Sequence, residues 1–439
     1  MASVIFLSPH SDPHADLGEP DSGGQCVYED QLARALANRG WDVTTFCRQV
    51  GKRPDLTQVN EHYKIQRVPC GPEGFIPKEE IGQYLPEFIE NLQTLLPLEQ
   101  IANSLIHGHY WDGGEASLLL AAQSEKKIPF VWTPHSLGSM KREKFPGTEN
   151  EEVYNFIPRL TWENYSCFAA DQVIVSSPQE KETVEEQYAY NPENISVIPP
   201  GIDWTDLVPK DKVEMRKKYK LPESGKLLLC LGRMSRSKGY HHAIRALSWL
   251  KEQYAEPVYL LIAGGSAHNA SPEEKNYIAY LHEVTAELHL EDSVFFTPAI
   301  PHEKVSELYS AADIFVMSSE NEPFGLTILE SMYMGLPVVA SNTGGPTFLI
   351  QHNFTGSLVT IYNPRRAAHY MYSYFKDPSF AKRVSKNAHE FVASEFQWGA
   401  QAEKFSALYQ KVLAEPTRPP FATWVQKNAF LQENLLRPT

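Results

Sequence analysis

Two doubly wound α/β domains in series are the fold class this sequence predicts, and three observations carry it. Apolar runs of strand length alternate with stretches of helical period twice over, the pattern of parallel sheets flanked by helices. The segment Ile198-Pro199-Pro200-Gly201-Ile202 divides the two series, because two prolines and a glycine continue neither a strand nor a helix. A length of 439 residues, 42% of them hydrophobic, is enough for two or three domains with sizeable cores.

The first strand, residues 4–7, leads through His10-Ser11-Asp12-Pro13-His14 and Asp21-Ser22-Gly23-Gly24-Gln25 into a helix. Val27, Leu32, Ala35 and Leu36 share one side of that helix, and Gly40 stops it. Gly23 and Gly24 let backbone come close to a ligand at the helix start, where free amides attract an anion. Residues 104–106, 129–132 and 172–175 read as further strands of the first domain. The second series restarts at residues 226–231 and continues through 258–263, 294–296, 314–317 and 337–340. After Pro419-Pro420 one more helical stretch runs over residues 424–436. No internal repeat or low-complexity tract interrupts the pattern.

The chemistry-bearing residues fall at strand ends. Strand 314–317 is followed by Glu322-Pro323-Phe324-Gly325-Leu326-Thr327-Ile328-Leu329-Glu330, with residues 326–334 at helical spacing and Gly335 as cap. Glu322 therefore belongs to the loop and Glu330 to the helix. The amides of Gly325, Leu326 and Thr327 form the positive end of that helix, a site for a diphosphate. Phosphate would repel a facing carboxylate, so the two acids address sugar or ribose hydroxyls, which points to a nucleotide sugar. Strand 226–231 ends in Gly232-Arg233 and is followed by Lys238-Gly239, placing two cations where open α/β sheets bind ligands. Arg233 and Lys238 are suited to neutralise a leaving diphosphate. Either group alone reads as ordinary surface charge; together they define a nucleotide-sugar site.

Composition excludes several classes. A net charge of -14 argues against a nucleic-acid binder, which needs cationic surface, yet leaves room for anionic small substrates, which need only a local basic patch. The five cysteines are odd in number and form no C-x-x-C pair, so they read as reduced core residues. His107-Gly108-His109 offers too few ligands for a metal. Asp-x-Asp is absent, which removes the usual metal-diphosphate clamp and leaves the leaving group to Arg233, Lys238 and the helix amides. The start of the chain has no charged leader region, and no run of about 18 apolar residues occurs. The expectation is a soluble, cytoplasmic protein with no membrane or nucleic-acid partner.

Gly-Arg-x4-Lys followed by Glu-x7-Glu resembles the signature of retaining glycosyltransferase family 4. Its GT-B fold has two Rossmann-like doubly wound domains facing across a cleft. Gly23-Gly24-Gln25-x-x-Tyr28, with Leu36-Ala37-x-x-Gly40, is similar to the amino-terminal motif of the sucrose-phosphate synthases and sucrose synthases of that family. Phe75-Ile76-Pro77-Lys78-Glu79-Glu80, His109-Tyr110-Trp111-Asp112-Gly113-Gly114, and Thr133-Pro134-His135-Ser136-Leu137-Gly138 with Lys141 narrow the resemblance to the sucrose-phosphate synthase branch. Plain sucrose synthases depart from the last of these strings. The resemblance covers the chain up to about Glu415. It departs at Ile157-Pro158-Arg159, where the branch often has paired arginines, and at Leu326-Thr327-Ile328, which is close to the usual string without being identical.

The resemblance implies an acceptor domain of residues 1–202 plus 418–439, with the last helix crossing back at Pro419-Pro420, and a nucleotide-sugar domain of residues 203–417. It implies catalytic roles for His135, Arg233, Lys238 and Glu322. Donor contacts would come from Gly24, Arg233, Lys238, Ile300, Glu322, Phe324, Gly325, Leu326, Thr327 and Glu330, with Pro298-Ala299-Ile300 reading the base. Acceptor contacts would come from Gly23, Gln25, Lys78, Tyr110, Asp112, Lys141 and Arg159. The implied reaction is metal-independent, without cofactor: glucose passes from UDP-glucose to fructose 6-phosphate with retention, giving sucrose 6-phosphate. No phosphatase-like domain follows within the 439 residues, so the product would leave as the ester, for a separate sucrose-phosphate phosphatase. The motifs do not record donor sugar or base. ADP-glucose, a mannosylfructose-phosphate synthase using GDP-mannose, and a sucrose synthase-like transferase stay open. Retention of all five groups Arg233, Lys238, Glu322, Glu330 and His135 disfavours a sugar-nucleotide binding protein without turnover, and the acceptor lysines disfavour an epimerase.

Overall fold

The computed structural model describes residues 2–15, 23–101, 103–124, 126–142, 156–188, 192–265, 270–298, 300–320, 322 and 324–414. The chain forms two units. Of the described residues, one unit takes 2–15, Gln25–Pro200 and those from Trp398 on; the other takes Gly23, Gly24 and Gly201–Gln397.

The first unit is built on an eight-stranded sheet: β1 Ser3–Leu7, β2 Asp42–Arg48, β3 Leu56–Asn60, β4 Tyr63–Val68, β5 Leu105–His109, β6 Phe130–Thr133, β7 Gln172–Val175 and β8 Ile195–Val197. The spatial order is 3-4-2-1-5-6-7-8, parallel throughout except where β3 meets β4. β1 pairs with β2 on one side, Ser3 opposite Asp42, and with β5 on the other, Val4 opposite Leu105. The winding therefore reverses between β1 and β5, and the carboxyl ends of these strands form the switch point at which such sheets take ligands. Alternate residues of β1 enter different cores. Ile5 and Leu7 join Phe88, Trp132 and Val173 on one face, while Val4 and Phe6 join Leu32, Leu36 and Phe405 on the other.

The second unit carries β9 Lys226–Leu231, β10 Val258–Ala263, β11 Val294–Thr297, β12 Ile314–Met317, β13 Val338–Ser341 and β14 Ser357–Val359 in the order 11-10-9-12-13-14. Every neighbouring pair is parallel. Its reversal lies between β9 and β12, where Ile314 stands opposite Leu228. Leu227 and Leu229 face one core, Leu228 and Cys230 the other. All five cysteines are buried, and none is in a disulfide.

Strands β2, β3, β4, β8 and β14 were not read from the sequence. β3 and β4 alternate polar with apolar residues in segments partly open to solvent, and β8 and β14 are three residues each. The helix Gly24–Ala37 forms as expected, but its buried face is centred on Tyr28, Leu32 and Leu36, with Val27 and Ala35 only half-buried. The largest difference concerns the return to the first unit, expected at Pro419-Pro420. The chain instead leaves the second unit at Gln397, where Ile202 bridges Gln397, and the helix Trp398–Ala414 belongs to the first. That helix buries Trp398, Ala402, Phe405, Tyr409 and Val412, an apolar stripe at helical spacing, beside Tyr28 and Trp41. Residues 424–436 lie outside the described residues.

Candidate active site

In the first unit the site is assembled at the ends of β1, β5 and β6. His10, just past β1, donates its backbone N–H to Asp112 Oδ2, and its Nδ1 lies 2.9 Å from both carboxylate oxygens of Asp112. Asp112 is fully buried in the first turn of the helix Tyr110–Ala122, so its charge is met by His10 within the unit. Tyr110 opens that helix at φ 65°, and Trp132 Nε1 donates 2.7 Å to its carbonyl. His135, after β6, is the second side-chain-bearing residue held at positive φ, 55°. A bulky residue in that region persists only where its surroundings fix it, and such strain gathers at functional sites.

What fixes His135 is traceable. Its Nε2 lies 2.9 Å from His109 Nδ1, and the Tyr28 ring meets it edge-on at 4.8 Å. Arg159 donates 2.8 Å to the carbonyl of Ser136 and 2.8 Å to the Tyr110 hydroxyl, and its Nε donates 2.7 Å to Glu163. Glu163 also accepts from the Gly138 amide and from the Tyr188 hydroxyl. The turn from Thr133 to Gly138 is thereby held at both ends, and the short helix Gly138–Arg142 that carries Lys141 starts from a fixed point.

Burial, reinforced by His10, pushes the His135 imidazole down to about 3; burial likewise holds His109 and His107 well below the usual histidine range. At neutral pH His135 is thus an uncharged hydrogen-bonding group, with Nε2 engaged by His109. Glu29 accepts from Ser8 and Gln25, and burial raises it to about 8. Gln25 is thus engaged with Glu29 at 2.8 Å. Lys78 is half-buried beside Glu79, 3.4 Å away, and Lys141 is half-buried too. Arg159 differs from the expectation of an acceptor phosphate ligand: it is 5% exposed and its nitrogens are bonded to Glu163, Tyr110 and Ser136. Its charge serves to build the His135 turn.

In the second unit Arg233 and Lys238 follow β9 and Glu322 follows β12, the two strands of the switch point. Arg233 follows Gly232 at the end of β9 and is exposed; its carbonyl accepts 2.9 Å from the Ser235 amide, and its side chain makes no hydrogen bond or ion pair among the described residues. Lys238 closes the turn Arg236–Lys238, and its Nζ lies 2.6 Å from Glu322 Oε2. Glu322 is buried on the loop after β12, where its carbonyl accepts from the Gly345 amide at 2.8 Å. Buried Phe324 leads to Gly325, which starts the helix Leu326–Tyr333 at φ 108°; half-buried Leu326 and Thr327 form its first turn. Glu330, one helical turn on, is 6% exposed and accepts 2.6 Å from the Tyr309 hydroxyl. Ile300 packs half-buried against the same core as β9 and β12. Gly23 precedes and Gly24 opens the helix Gly24–Ala37. Ala299 and Pro323 lie outside the described residues.

Sequence reasoning did not assign His10, His109, Glu29, Glu163 or Tyr309. An Arg159–Glu163 pair at i,i+4 was the one local signal available. His10 and Asp112 are 102 residues apart, and nothing local in the sequence joins them.

The chain that carries these residues matches a known class of enzyme. A family model described as Glycosyl transferases group 1 matches residues 211–391, and one described as Glycosyltransferase Family 4 matches residues 22–205. The chain is 32% identical over 416 residues to mannosylfructose-phosphate synthase of Agrobacterium fabrum, covering 93% of this chain and 91% of that protein. A D-inositol 3-phosphate glycosyltransferase of Acidothermus cellulolyticus is 29% identical over 417 residues, covering 94% and 91%. Among solved structures, sucrose-phosphate synthase from Thermosynechococcus elongatus superposes with a TM-score of 0.84 at 31% identity, covering 94% of this chain and 100% of that one. The chain belongs to glycosyltransferase family 4: it is a nucleotide-sugar glycosyltransferase with the GT-B fold. No described helix is long and apolar enough to cross a membrane.

Proposed function

We propose that this enzyme transfers glucose from UDP-glucose to fructose 6-phosphate, forming sucrose 6-phosphate with retention at the anomeric carbon. The observation that carries the acceptor half is the segment from His135 to Lys141. Arg159 and Glu163 hold a neutral histidine and a half-buried lysine at fixed points of one turn and its helix. A sugar phosphate needs such a pairing, one group for hydroxyls and one cation for the phosphate. Lys78 supplies a second half-buried cation.

On the donor side, Arg233 and Lys238 face the diphosphate, together with the amides that open the helix Leu326–Tyr333. Lys238 spends the resting state paired with Glu322, so donor binding exchanges partners: the ammonium turns to phosphate and the carboxylate to a sugar hydroxyl. Glu330, steadied by Tyr309, holds the ribose. The reaction is a same-face displacement. The bond from the anomeric carbon to the diphosphate oxygen breaks as the acceptor hydroxyl oxygen bonds to that carbon, and the hydroxyl proton passes to the departing phosphate oxygen. Arg233 and Lys238 stabilise the charge that develops there, and His135 and Glu322 orient the sugar. None of these steps calls on a metal.

A second reading is favoured by the 32% identity to a mannosylfructose-phosphate synthase, with GDP-mannose as donor and the same acceptor. Nucleotide release should be measured with UDP-glucose, ADP-glucose, GDP-glucose and GDP-mannose against fructose 6-phosphate, fructose and inositol 3-phosphate. UDP release that depends on fructose 6-phosphate is expected. GDP release from GDP-mannose would install the second reading, and turnover with inositol 3-phosphate alone would overturn both.

A further inference from the structure

Beside the donor groups, but not needed by the transfer, His241, His242 and Glu320 converge in the second unit. The helix Tyr240–Gln253 presents both histidines in its first turn, closed by the His242 amide donating 2.8 Å to the Gly239 carbonyl, and the Glu320 amide, donating 2.8 Å to the Ser237 carbonyl, ties the loop after β12 to the turn just before that helix. His242 Nε2 lies 3.3 Å from Glu320 Oε1, and His241 Nε2 lies 3.8 Å from the same oxygen. The Tyr277 hydroxyl is 3.2 Å from His241 Nδ1, the kind of partner that orients a metal-binding imidazole from its far side. Tyr280 meets the His241 ring at 5.5 Å and Tyr362 meets that of His242 at 5.2 Å.

We propose that His241, His242 and Glu320 form a binding site for one divalent first-row cation, Zn²⁺ by the character of the ligands. The three ligand atoms all lie within 4.8 Å of one another. Tetrahedral zinc with bonds of about 2.0–2.2 Å sets such atoms roughly 3.3–3.6 Å apart, so closure by about an ångström completes the set. Two nitrogens and one carboxylate oxygen suit zinc and its neighbours in the series better than magnesium or calcium. The histidine side chains are 5% and 11% exposed and that of Glu320 is 29% exposed, so the fourth position opens to water on the carboxylate side. The ion would tie the turn that carries Lys238 to the loop that carries Glu322.

The site is read without donor or acceptor, so its failure is distinct from failure of the transferase assignment. Tag-free protein titrated with Co²⁺ should bind one equivalent with the visible absorption of a four- or five-coordinate ion, displaced by Zn²⁺. His242→Asn and Glu320→Gln should each weaken binding by at least about tenfold, and Tyr277→Phe by less. Zn²⁺ should raise the melting temperature of the parent protein and not of Glu320→Gln. His109→Asn removes the other such group among the described residues, Glu29 with His109 and His135, and should leave Co²⁺ binding unchanged. No such absorption in the parent, or absorption that survives Glu320→Gln and disappears with His109→Asn, overturns the proposal.

Discussion

Lys238 and Glu322 stand 2.6 Å apart, which makes each the other's counter-ion, and on the proposed reading a bound donor parts them. Glu322→Gln keeps the shape and removes the competing charge, so Lys238 is released toward phosphate. UDP should then bind several-fold tighter, while kcat falls by about a hundredfold for want of a group that orients the sugar. Calorimetric titration with UDP beside steady-state kinetics reads both; UDP binding that is unchanged or weaker would remove the partner-exchange idea. On the acceptor side, a charge-assisted contact of about 1.5–3 kcal/mol means that Lys141→Ala should raise KM for fructose 6-phosphate by roughly tenfold or more and leave the donor KM near its parent value. An equal loss on both substrates would mean that Lys141 only supports the fold. The strand end before Arg233 and Lys238 and the helix start between Glu322 and Glu330 were legible in the sequence because both are announced locally. Arg159 was legible as a cation but not in its role, since the partners that bury it, Tyr110 and Ser136, are 49 and 23 residues away in sequence.

The elements that hold these residues depend on a few backbone positions that admit no side chain. Gly239 is at φ 62°, and a Cβ there would stand 2.1 Å from the Ser318 carbonyl oxygen. Gly239→Ala therefore adds left-handed strain of about 1–3 kcal/mol to a clash with backbone. It also pries the loop after β12 from the turn whose Lys238 carbonyl accepts 3.2 Å from Ser318 Oγ. The melting temperature and kcat should fall together. Gly399, near the start of the helix Trp398–Ala414, has nothing within 4 Å of its Cβ position, so Gly399→Ala should be slightly stabilising. If both variants melt alike, the Gly239 contact carries no constraint. The Lys238-Gly239 step and the apolar strands were readable from sequence. The return at Trp398 was not, because its helix shows the same amphipathic stripe whichever core it enters, and prolines further on gave a stronger local signal.

Across the whole molecule, buried titratable groups set how stability varies with pH, and they pull in opposite directions. Burial depresses His107, His109 and His135 from their ordinary 6.5, the last to about 3, so below pH 6.5 the unfolded chain binds protons that the native one refuses and stability falls on acidification. Burial raises Glu29 to about 8, Glu180 to about 7 and Glu115 well above its ordinary 4.5, so above pH 4.5 the native state keeps protons that the unfolded chain releases and stability falls as pH rises. Burial lowers His241 too, to about 4, so between 4.5 and 6 four histidines slightly outweigh three carboxyls, and the two sets balance near pH 6. Above 6.5 the histidines are neutral in both states and only the carboxyls act. A shallow maximum near pH 6 is therefore expected, followed by a decline toward pH 8. Each proton kept by the native state contributes a slope of about 1.4 kcal/mol per pH unit. Glu29→Gln preserves the shape and supplies a permanently uncharged group to Ser8 and Gln25. It should flatten that decline while leaving the acid limb in place, because the limb belongs to the histidines. Melting curves of parent and variant at pH 5, 6.5 and 8 decide the matter: a parent that is most stable at pH 8, or a variant with an undiminished alkaline loss, would mean that Glu29 is ionised in the folded protein.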